Sequence, residues 1–371
     1  MFERSSFMTK PLLLFAAALA AALAPALAKA EGELNVFNWS DYIGETTIED
    51  FQKETGIKTR YDVYDSNDIL ETKLLAGKTG YDVVVPTGSF LARQIQAGVF
   101  MKLDKAKLPN LKNLDPAIMA RVDRNWDPGN QYAIPHMWGT TGVGYNVDKI
   151  KQRMADAPVD SLRMLFDPAV VAKFADCGIH VLDAPDELIP AALKYLGLDP
   201  NSHDAKVIEQ AEAVLMAMRP HVAKFHSSEY INALANGDIC LAFGWSGDMF
   251  QAHDRAAEAG NNVVIDYRIP KEGALLWVDM MAIPADAPNA DNAHVFLDYM
   301  MRPEVIAAAT NYVQYANGNA ASKSLIDPEI TGNPSIYPTP EVIENLYLIT
   351  PQAPREQRLM TRLWTRVKSG Q

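Results

Sequence analysis

The sequence predicts an α/β protein of two lobes, each with a central, mostly parallel sheet flanked by helices. Along residues 34–100, short strands alternate with loops and helices, which is the order found in open parallel sheets. The same order restarts after Val147, beyond a stretch rich in glycine and threonine. The length of 371 residues also exceeds what one hydrophobic core normally uses, so two lobes are expected.

The first 30 residues have the pattern of a secretory signal peptide. Arg4 and Lys10 give a basic start, residues 11–27 are apolar and alanine-rich, and residues 28–30 have the small-x-small form of a cleavage site. The apolar run is interrupted by Pro25 and is marginal for a membrane span, which leaves a retained anchor as the alternative. We therefore expect an exported protein that is cleaved near Ala30.

Charge and cysteine content narrow the possible functions. The net charge is −12, and it becomes −14 without residues 1–30, which hold three basic residues and one acidic residue. Nucleic acid is not an expected partner, because phosphate binding requires a basic surface, whereas a cationic partner suits this sign. The two cysteines, Cys177 and Cys240, favour one disulfide in an exported protein, with two buried free thiols as the alternative.

In the first part of the chain, the periodicity of apolar residues and the signals at helix ends predict the strands and helices. Alternation predicts strands at 34–38 and 57–63, and a β-branched run predicts a buried strand at 81–86. Helical spacing predicts helices at 46–55 and 66–77, each ended by a glycine. Ligands of open parallel sheets lie beyond the carboxyl ends of the strands, so the segments 39–42 and 87–90 are candidate ligand-contacting loops.

The stretch 132–146 predicts a crossing between lobes, because two extended pieces flank glycines and threonines. Beyond it we expect helices at 161–166 and 169–174, a strand at 178–183, helices from 184 and at 204–218, strands at 239–243, 263–269 and 275–283, and helices at 289–301, 339–346 and 355–367. A strand at 275–283 places Trp277 and Asp279 on one face by its period of two.

Pairs of an aromatic ring and a carboxylate recur at the ends of predicted elements. The pairs are Trp39 with Asp41, Trp245 with Asp248 and Trp277 with Asp279, and Glu187, Ser89 and Tyr315 occupy comparable positions. Rings attract a diffuse cation and carboxylates accept hydrogen bonds from ammonium groups, so the pattern indicates an organic-cation site. The alternative is a set of core tryptophans beside helix-capping acids.

Enzyme signatures are missing from the sequence. It contains no Gly-x-Ser-x-Gly elbow, no His-Glu-x-x-His and no phosphate-binding loop. The seven histidines are scattered, and no Cys-x-x-Cys indicates a zinc or redox site. Paired carboxylates leave an exported hydrolase as the competing class of function, but no motif selects a particular pair.

Six blocks of sequence together resemble the periplasmic polyamine-binding proteins of ABC importers. They are residues 38–42, 81–89, 138–146, 226–240, 244–248 and 315–317, and the resemblance extends over nearly the whole chain after the signal peptide. It implies a periplasmic, two-lobed receptor that closes on a cleft ligand and docks to a membrane-embedded ABC permease. It also implies a Cys177–Cys240 disulfide, a monomer, no cofactor, no metal and no catalysis. A receptor for another cationic solute is the alternative.

The same resemblance implies residue roles and lobe bounds. Aromatic side chains would contact the ligand stem, carboxylates would meet its ammonium groups, and hydroxyls would add polar contacts: Trp39, Tyr42, Trp245 and Trp277; Asp41, Glu187, Asp248 and Asp279; and Ser40, Ser89 and Tyr315. The first lobe would take residues 31–137 and 256–306, and the second 138–255 and 307–371.

Two positions give opposite indications of the preferred polyamine. Trp277 stands where putrescine-preferring members of the resembled family have phenylalanine, which favours spermidine, because a longer ligand gains more from a larger ring. Ser40 and Asp41, in contrast, resemble the putrescine type, where other members carry threonine and glutamate. We expect spermidine, putrescine or both as ligand, with a slight preference for spermidine.

Overall fold

A computed structural model describes Met1 and residues 32–371. Apart from Met1, the predicted signal peptide and its cleavage site near Ala30 lie outside the described residues. Within the described part, no helix is both long enough and apolar enough to cross a bilayer.

Strands and helices alternate along most of the chain. The strands are β1 (Gly32–Trp39), β2 (Ile57–Tyr64), β3 (Val83–Val84), β4 (Ala133–Asn146), β5 (Ile179–Val181), β6 (Lys224–Phe225), β7 (Leu241–Trp245), β8 (Ile265–Arg268), β9 (Leu276–Ala282) and β10 (Ala316–Asn317). The helices are α1 (Thr47–Thr55), α2 (Asn67–Ala76), α3 (Gly88–Gln96), α4 (Pro116–Asn125), α5 (Val147–Arg153), α6 (Arg163–Phe166), α7 (Pro168–Val171), α8 (Pro185–Tyr195), α9 (Ala205–Met218), α10 (Tyr230–Ala235), α11 (Ser246–Glu258), α12 (Ala290–Met300), α13 (Pro303–Val313), α14 (Pro328–Thr331), α15 (Pro340–Asn345) and α16 (Pro354–Ser369). Short 3-10 turns lie at Lys105–Lys107, Pro109–Asn113, Ala172–Cys177, Arg219–His221 and Ala320–Leu325.

The end signals explain where several helices begin. The Ser66 hydroxyl accepts a hydrogen bond from the Asp68 amide at the start of α2, and Asp115 accepts from the Ala117 and Ile118 amides at the start of α4. The predicted helix 289–301 is found as α12, which ends at Met300, and Pro303 then occupies the first position of α13. Proline is well tolerated there because the first helical amide has no partner within the helix.

The strands form one mixed sheet in the order β2-β1-β3-β9-β4-β7-β5-β6, with β8 and β10 also paired to β4. Parallel pairs, as predicted, occur within each half: β1 pairs with β2 and β3, and β5 pairs with β6 and β7. The strands β4, β8 and β9, which lead between the two halves, pair antiparallel. Antiparallel pairing was not predicted, because it depends on where the chain returns and not on the local pattern.

A single long strand, β4, makes the crossing predicted at 132–146. Its first half pairs with β9 and β10 and its second half with β7 and β8. The register with β9 shifts between Pro135 and Trp138, so the strand is irregular where it leaves the first half. Two further crossings follow, between β8 and β9 and before α16.

Buried apolar side chains divide into two clusters, and this division differs from the predicted lobe bounds. One cluster draws on residues 34–138 and 275–349, and the other on residues 143–267 and 360–367. The segment around Tyr267 was expected in the first lobe but packs in the second cluster, because β8 pairs with the second half of β4. The segment around Tyr315 was expected in the second lobe but packs in the first, because β10 pairs with the first half of β4. We therefore divide the lobes by these clusters.

The predicted disulfide joins Cys177, at the end of a 3-10 turn, to Cys240, directly before β7. It lies within the core of the second lobe, where both residues are buried. The disulfide therefore fixes the start of the strand that ends at Trp245.

Candidate ligand-binding site

A cavity of about 350 Å³ of empty space lies between the two lobes. Its walls come from strand ends, helix starts and the turn after β1: Trp39, Ser40, Tyr42, Asn67, Thr87, Glu187, Trp245, Asp248, Trp277, Asp279 and Tyr315. Glu187, Trp245 and Asp248 belong to the second lobe and the others to the first. The cavity therefore exists only when the lobes face one another.

Helix starts at the carboxyl ends of strands position two of the acidic side chains. α8 begins at Pro185 after β5 and places Glu187 in its first turn, and α11 begins at Ser246 after β7 and does the same for Asp248. The positive end of a helix dipole favours the ionised form of a nearby carboxylate. The third carboxylate, Asp279, lies on β9 two residues after Trp277, and both line the cavity as the period of a strand predicts.

Two glycines allow aromatic rings to approach the backbone beside the cavity. A Cβ atom on Gly244 would lie 2.7 Å from the Tyr230 ring, and one on Gly247 would lie 2.5 Å from the Tyr315 ring. Such distances are too short for any other residue. These contacts explain why glycines precede and follow the Trp245-Ser246 pair.

Aromatic rings form much of the wall. The Trp39 and Trp245 rings meet edge to face across the two lobes, with their centres 5.3 Å apart. Tyr315 lies edge to face against Tyr42, at 5.0 Å, and against Trp277, at 5.4 Å. Trp39 and Trp277 are buried and Trp245 is half-buried, so their ring surfaces are largely shielded from solvent.

Hydroxyl and indole donors hold all three carboxylates. Glu187 accepts from the Trp245 indole, at 2.7 Å, and from the Thr141 hydroxyl. Asp248 accepts from the hydroxyls of Tyr230 and Tyr315, at 2.5 Å each.

Asp279 accepts from the Thr87 hydroxyl at 2.6 Å, and Thr87 in turn accepts from Asn67 at 2.9 Å. The Tyr42 hydroxyl lies near Asp279 and lowers its pKa, but the geometry falls short of a hydrogen bond, and that hydroxyl has no partner among the described residues. Asp279 thus accepts fewer hydrogen bonds than Glu187 or Asp248.

Burial disfavours the ionised form of the three carboxyl groups that line the cavity. It raises the pKa of Glu187, Asp248 and Asp279 to about 7 in each case. Hydrogen bonds from the surrounding donors lower each pKa, but they do not outweigh desolvation. No lysine or arginine occurs among the lining residues, so three acidic groups face a cavity without a counter-ion. A cation in the cavity would supply the missing charge.

Two of the predicted contact residues lie away from this cavity. Asp41 lies in a turn with a left-handed backbone, at a φ of 54°, and its carboxylate is ion-paired at 2.5 Å with Arg255 of α11. The expectation that Asp41 meets the ligand therefore differs from its observed position, in which it links the lobes outside the cavity. Ser89 is buried in the first turn of α3 and lines a small adjoining cavity instead.

Four further residues near the site were not selected from the sequence. Asn67 and Thr87 line the cavity, and Thr141 and Tyr230 hold carboxylates that line it. The predicted loop 87–90 included Thr87, so its place at the end of a strand was a usable signal. Within the described residues, no group of three or more histidine, cysteine or acidic side chains is arranged to hold a metal ion.

A profile of the family described as bacterial extracellular solute-binding protein matches residues 46–338. The chain belongs to this family. The solute-binding protein is 52% identical over 359 residues to the putrescine-binding periplasmic protein SpuD of Pseudomonas aeruginosa, an alignment that covers 96% of this chain and 98% of the relative. It is 50% identical to the putrescine-binding periplasmic protein PotF of Escherichia coli, covering 96% and 97%. A solved structure of the spermidine/putrescine ABC transporter substrate-binding protein PotD from Streptococcus pneumoniae superimposes with a TM-score of 0.73 at 26% identity, covering 92% and 99%.

Proposed function

We propose that this protein is a periplasmic receptor that binds a polyamine in the cavity between its lobes. The observation that supports the proposal most directly is the lining, which combines aromatic rings and three buried carboxylates without a basic side chain. Each charged hydrogen bond to an ammonium contributes about 1.5–3 kcal/mol, and each cation–π contact about 0.5–2 kcal/mol. A few of each reach micromolar affinity, near −8 kcal/mol, after ordering costs are subtracted.

The proposal includes delivery of the polyamine to an ABC permease, without catalysis, by a monomeric protein. Support comes from the family, from relatives whose names state periplasmic putrescine binding, and from a structural neighbour described as a substrate-binding protein of an ABC transporter. Three connections between the lobes are compatible with hinge closure around a ligand.

Thermal unfolding and titration calorimetry test the function. We expect putrescine or spermidine to raise the melting temperature by mass action and to bind with micromolar affinity or tighter, while basic amino acids and opines do not. A shift only with an amino acid or an opine would support a receptor for another cationic solute. Turnover of an N-acetylated polyamine, followed by chromatography, would instead support the hydrolase.

Removal of the Trp245 ring gives the sharpest test of the site. Trp245→Ala removes a ring face and the indole that donates to Glu187, so we expect polyamine binding to fall below detection in calorimetry. Trp245→Phe keeps a ring and loses only the donor, so its polyamine affinity is expected to lie between that of the unmodified protein and that of the alanine variant. A native circular dichroism spectrum with unchanged affinity in the alanine variant would contradict the proposed site.

The preference between putrescine and spermidine is the finer part of the proposal. The relatives with 52% and 50% identity carry putrescine in their names, which supports putrescine. Trp277 favours spermidine as a second candidate, and so does Asp186, which lines two small cavities beside the main one. Burial and the nearby Glu187 raise the pKa of Asp186 to about 8, so a third ammonium would have to draw out its ionised form. Calorimetry with both ligands decides, and putrescine binding ten times tighter would contradict a preference for spermidine.

A further inference from the structure

Two neighbouring arginines on α4 have no counter-ion. No carboxylate in the described part of the chain lies within 4.0 Å of the Arg121 or Arg124 guanidinium. Most other arginines in that part are ion-paired: Arg60, Arg93, Arg153, Arg163, Arg255, Arg268, Arg302 and Arg366. Arg355, Arg358 and Arg362 on α16 also lack an ion pair among the described residues, so the absence of a partner is not by itself a sign of a site. What distinguishes Arg121 and Arg124 is that both line one groove.

Both side chains line a groove in the first lobe that shares no lining residue with the polyamine cavity. Its walls are mixed: Asn125 and the two arginines are polar, and Leu276 of β9, Ile343 of α15, and Leu346 and Leu348 from the segment that follows are apolar. The groove is open to solvent and holds about 750 Å³ of empty space. Leu276 lines the groove and also the small cavity that adjoins the polyamine site.

The electrostatics of the pair favour an anion. Burial lowers the pKa of Arg121, and the neighbouring charge of Arg124 lowers it further. Asp115 acts in the opposite direction, but its carboxylate accepts hydrogen bonds from the Ala117 and Ile118 amides. Two guanidinium groups one helical turn apart therefore repel each other, and an anion between them would relieve that repulsion.

We propose that this groove is a second binding site, which takes an amphipathic carboxylate. The two guanidinium groups donate paired hydrogen bonds to the carboxylate, for which their planar geometry is well suited. The aliphatic body of the ligand lies against Leu276, Ile343, Leu346 and Leu348, which removes apolar surface from water. The polyamine cavity is lined by carboxylates and rejects the same anion, so the two sites have opposite charge preferences.

Octanoate is a suitable probe, with 1-octanol as its uncharged counterpart. We expect octanoate to bind the unliganded protein with a Kd in the micromolar to low millimolar range by calorimetry. The double variant R121Q/R124Q is expected to raise that Kd at least tenfold, because two charged donors are lost. R121K/R124K keeps both charges without the planar guanidinium groups, so it is expected to recover part of the affinity.

Arg358→Gln is the matched control, because Arg358 is exposed on α16, away from the groove. This variant should bind octanoate as the unmodified protein does. The double variant should retain its circular dichroism spectrum and its polyamine affinity, and Trp245→Ala should leave octanoate binding unchanged. Equal octanoate affinity in R121Q/R124Q, or 1-octanol binding as tightly as octanoate, would overturn the proposal. Binding of tetraglutamate without binding of octanoate would overturn the choice of ligand.

Discussion

At the scale of single residues, the cavity keeps three carboxylates in a state that is costly without a ligand. Glu187, Asp248 and Asp279 are buried, accept hydrogen bonds from neutral donors and share a cavity whose lining contains no cation. A buried carboxylate without a cation loses more hydration energy than neutral hydrogen bonds restore, and its pKa rises accordingly. Burial of the three carboxylates therefore lowers the stability of the unliganded protein, and a cationic ligand that neutralises them restores it.

Asp279→Asn is predicted to stabilise the unliganded protein and to weaken ligand binding. The asparagine oxygen can still accept from Thr87, and its amide can donate to the otherwise unpaired Tyr42 hydroxyl. Loss of the buried charge should raise the free energy of unfolding by about 1–2 kcal/mol at pH 8. Polyamine affinity should fall at least tenfold, since a charged hydrogen bond contributes about 1.5–3 kcal/mol. Urea unfolding and calorimetry measure the two effects.

Asp266→Asn is the control for the Asp279 variant, because Asp266 is paired with Arg268 outside the cavity. It should change neither the free energy of unfolding nor the polyamine affinity appreciably. A less stable Asp279→Asn protein would show that the carboxylate contributes to folding rather than to ligand binding.

The Asp41–Arg255 ion pair is predicted to act as a contact that favours lobe closure. Both side chains are about one-third exposed, at 35% and 33%, so the pair contributes about 0.2–1 kcal/mol. Arg255→Gln should therefore raise the polyamine Kd by up to about fivefold, mainly through faster dissociation, as stopped-flow fluorescence would show. Arg302→Gln breaks a pair with Glu54 inside the first lobe and is the control. Equal polyamine dissociation rates in Arg255→Gln and Arg302→Gln would show that the Asp41–Arg255 pair does not favour lobe closure.

At the scale of elements, β7 connects the core of the second lobe to the cavity. The strand starts directly after Cys240 and ends at Trp245, and α11 follows without a gap and carries Asp248. Five residues separate the disulfide end of this strand from the cavity wall. We therefore expect the disulfide to influence the position of the ligand site.

Replacement of both cysteines by serine, in C177S/C240S, tests this link. The disulfide spans 63 residues, for which the chain-entropy estimate is about 4 kcal/mol. We expect a loss of about 2–4 kcal/mol in the free energy of unfolding, because residual structure in the unfolded chain reduces the entropic effect. Polyamine affinity at low temperature should fall only a few-fold, since the strand is also held by β4 and β5. Unchanged stability would show that the packed core already imposes every constraint that the disulfide provides.

Local patterns in the sequence predict the elements well because periodicity and end signals are local. The same logic placed Trp277 and Asp279 on one wall, since a strand has a fixed period of two. It did not predict the ion pair of Asp41, whose left-handed turn is followed by a contact with Arg255, a partner 214 residues away. It missed Asn67 because a polar residue at a helix start carries no periodic signal.

Lobe bounds were harder to predict for a related reason. Whether β8 and β10 pair with one half of β4 or the other is decided by contacts between residues far apart in sequence. The chain length and the restart of the strand–helix order predicted two lobes, and the resemblance to a receptor family implied their discontinuous bounds, but the exact return points of the chain depend on that pairing.

At the scale of the whole molecule, the cavity joins ligand binding to lobe closure. The rings of Trp39 and Trp245 meet across the lobes, and Glu187 and Asp279 face the same space from opposite sides. Separation of the lobes would expose these carboxylates to water and return their pKa values towards the usual range. Closure without a ligand therefore buries charge, while closure with a cationic ligand neutralises it, so the ligand shifts the equilibrium towards the closed form.

This coupling predicts that stability and affinity respond to pH in opposite directions. In the unliganded protein the pKa values of the three carboxyl groups are raised to about 7. The stability that their neutral forms provide is complete below the usual pKa, near 4, and is lost as the pH rises through about 7. A polyamine binds the ionised forms, so its affinity should increase from pH 5.5 to 8, by up to about tenfold per unit for each carboxyl that must ionise.

The increase in melting temperature on saturation with putrescine should therefore be larger at pH 8 than at pH 5.5. Calorimetry in buffers of different ionisation enthalpy should show proton release on binding near pH 6.5, and Asp279→Asn should release fewer protons because one titrating group is gone. The unliganded Asp279→Asn protein should also lose less stability between pH 5.5 and 8 than the unmodified protein. Affinity that is constant over this range, with no proton release on binding, would mean that the three carboxyl groups are already ionised before the ligand arrives.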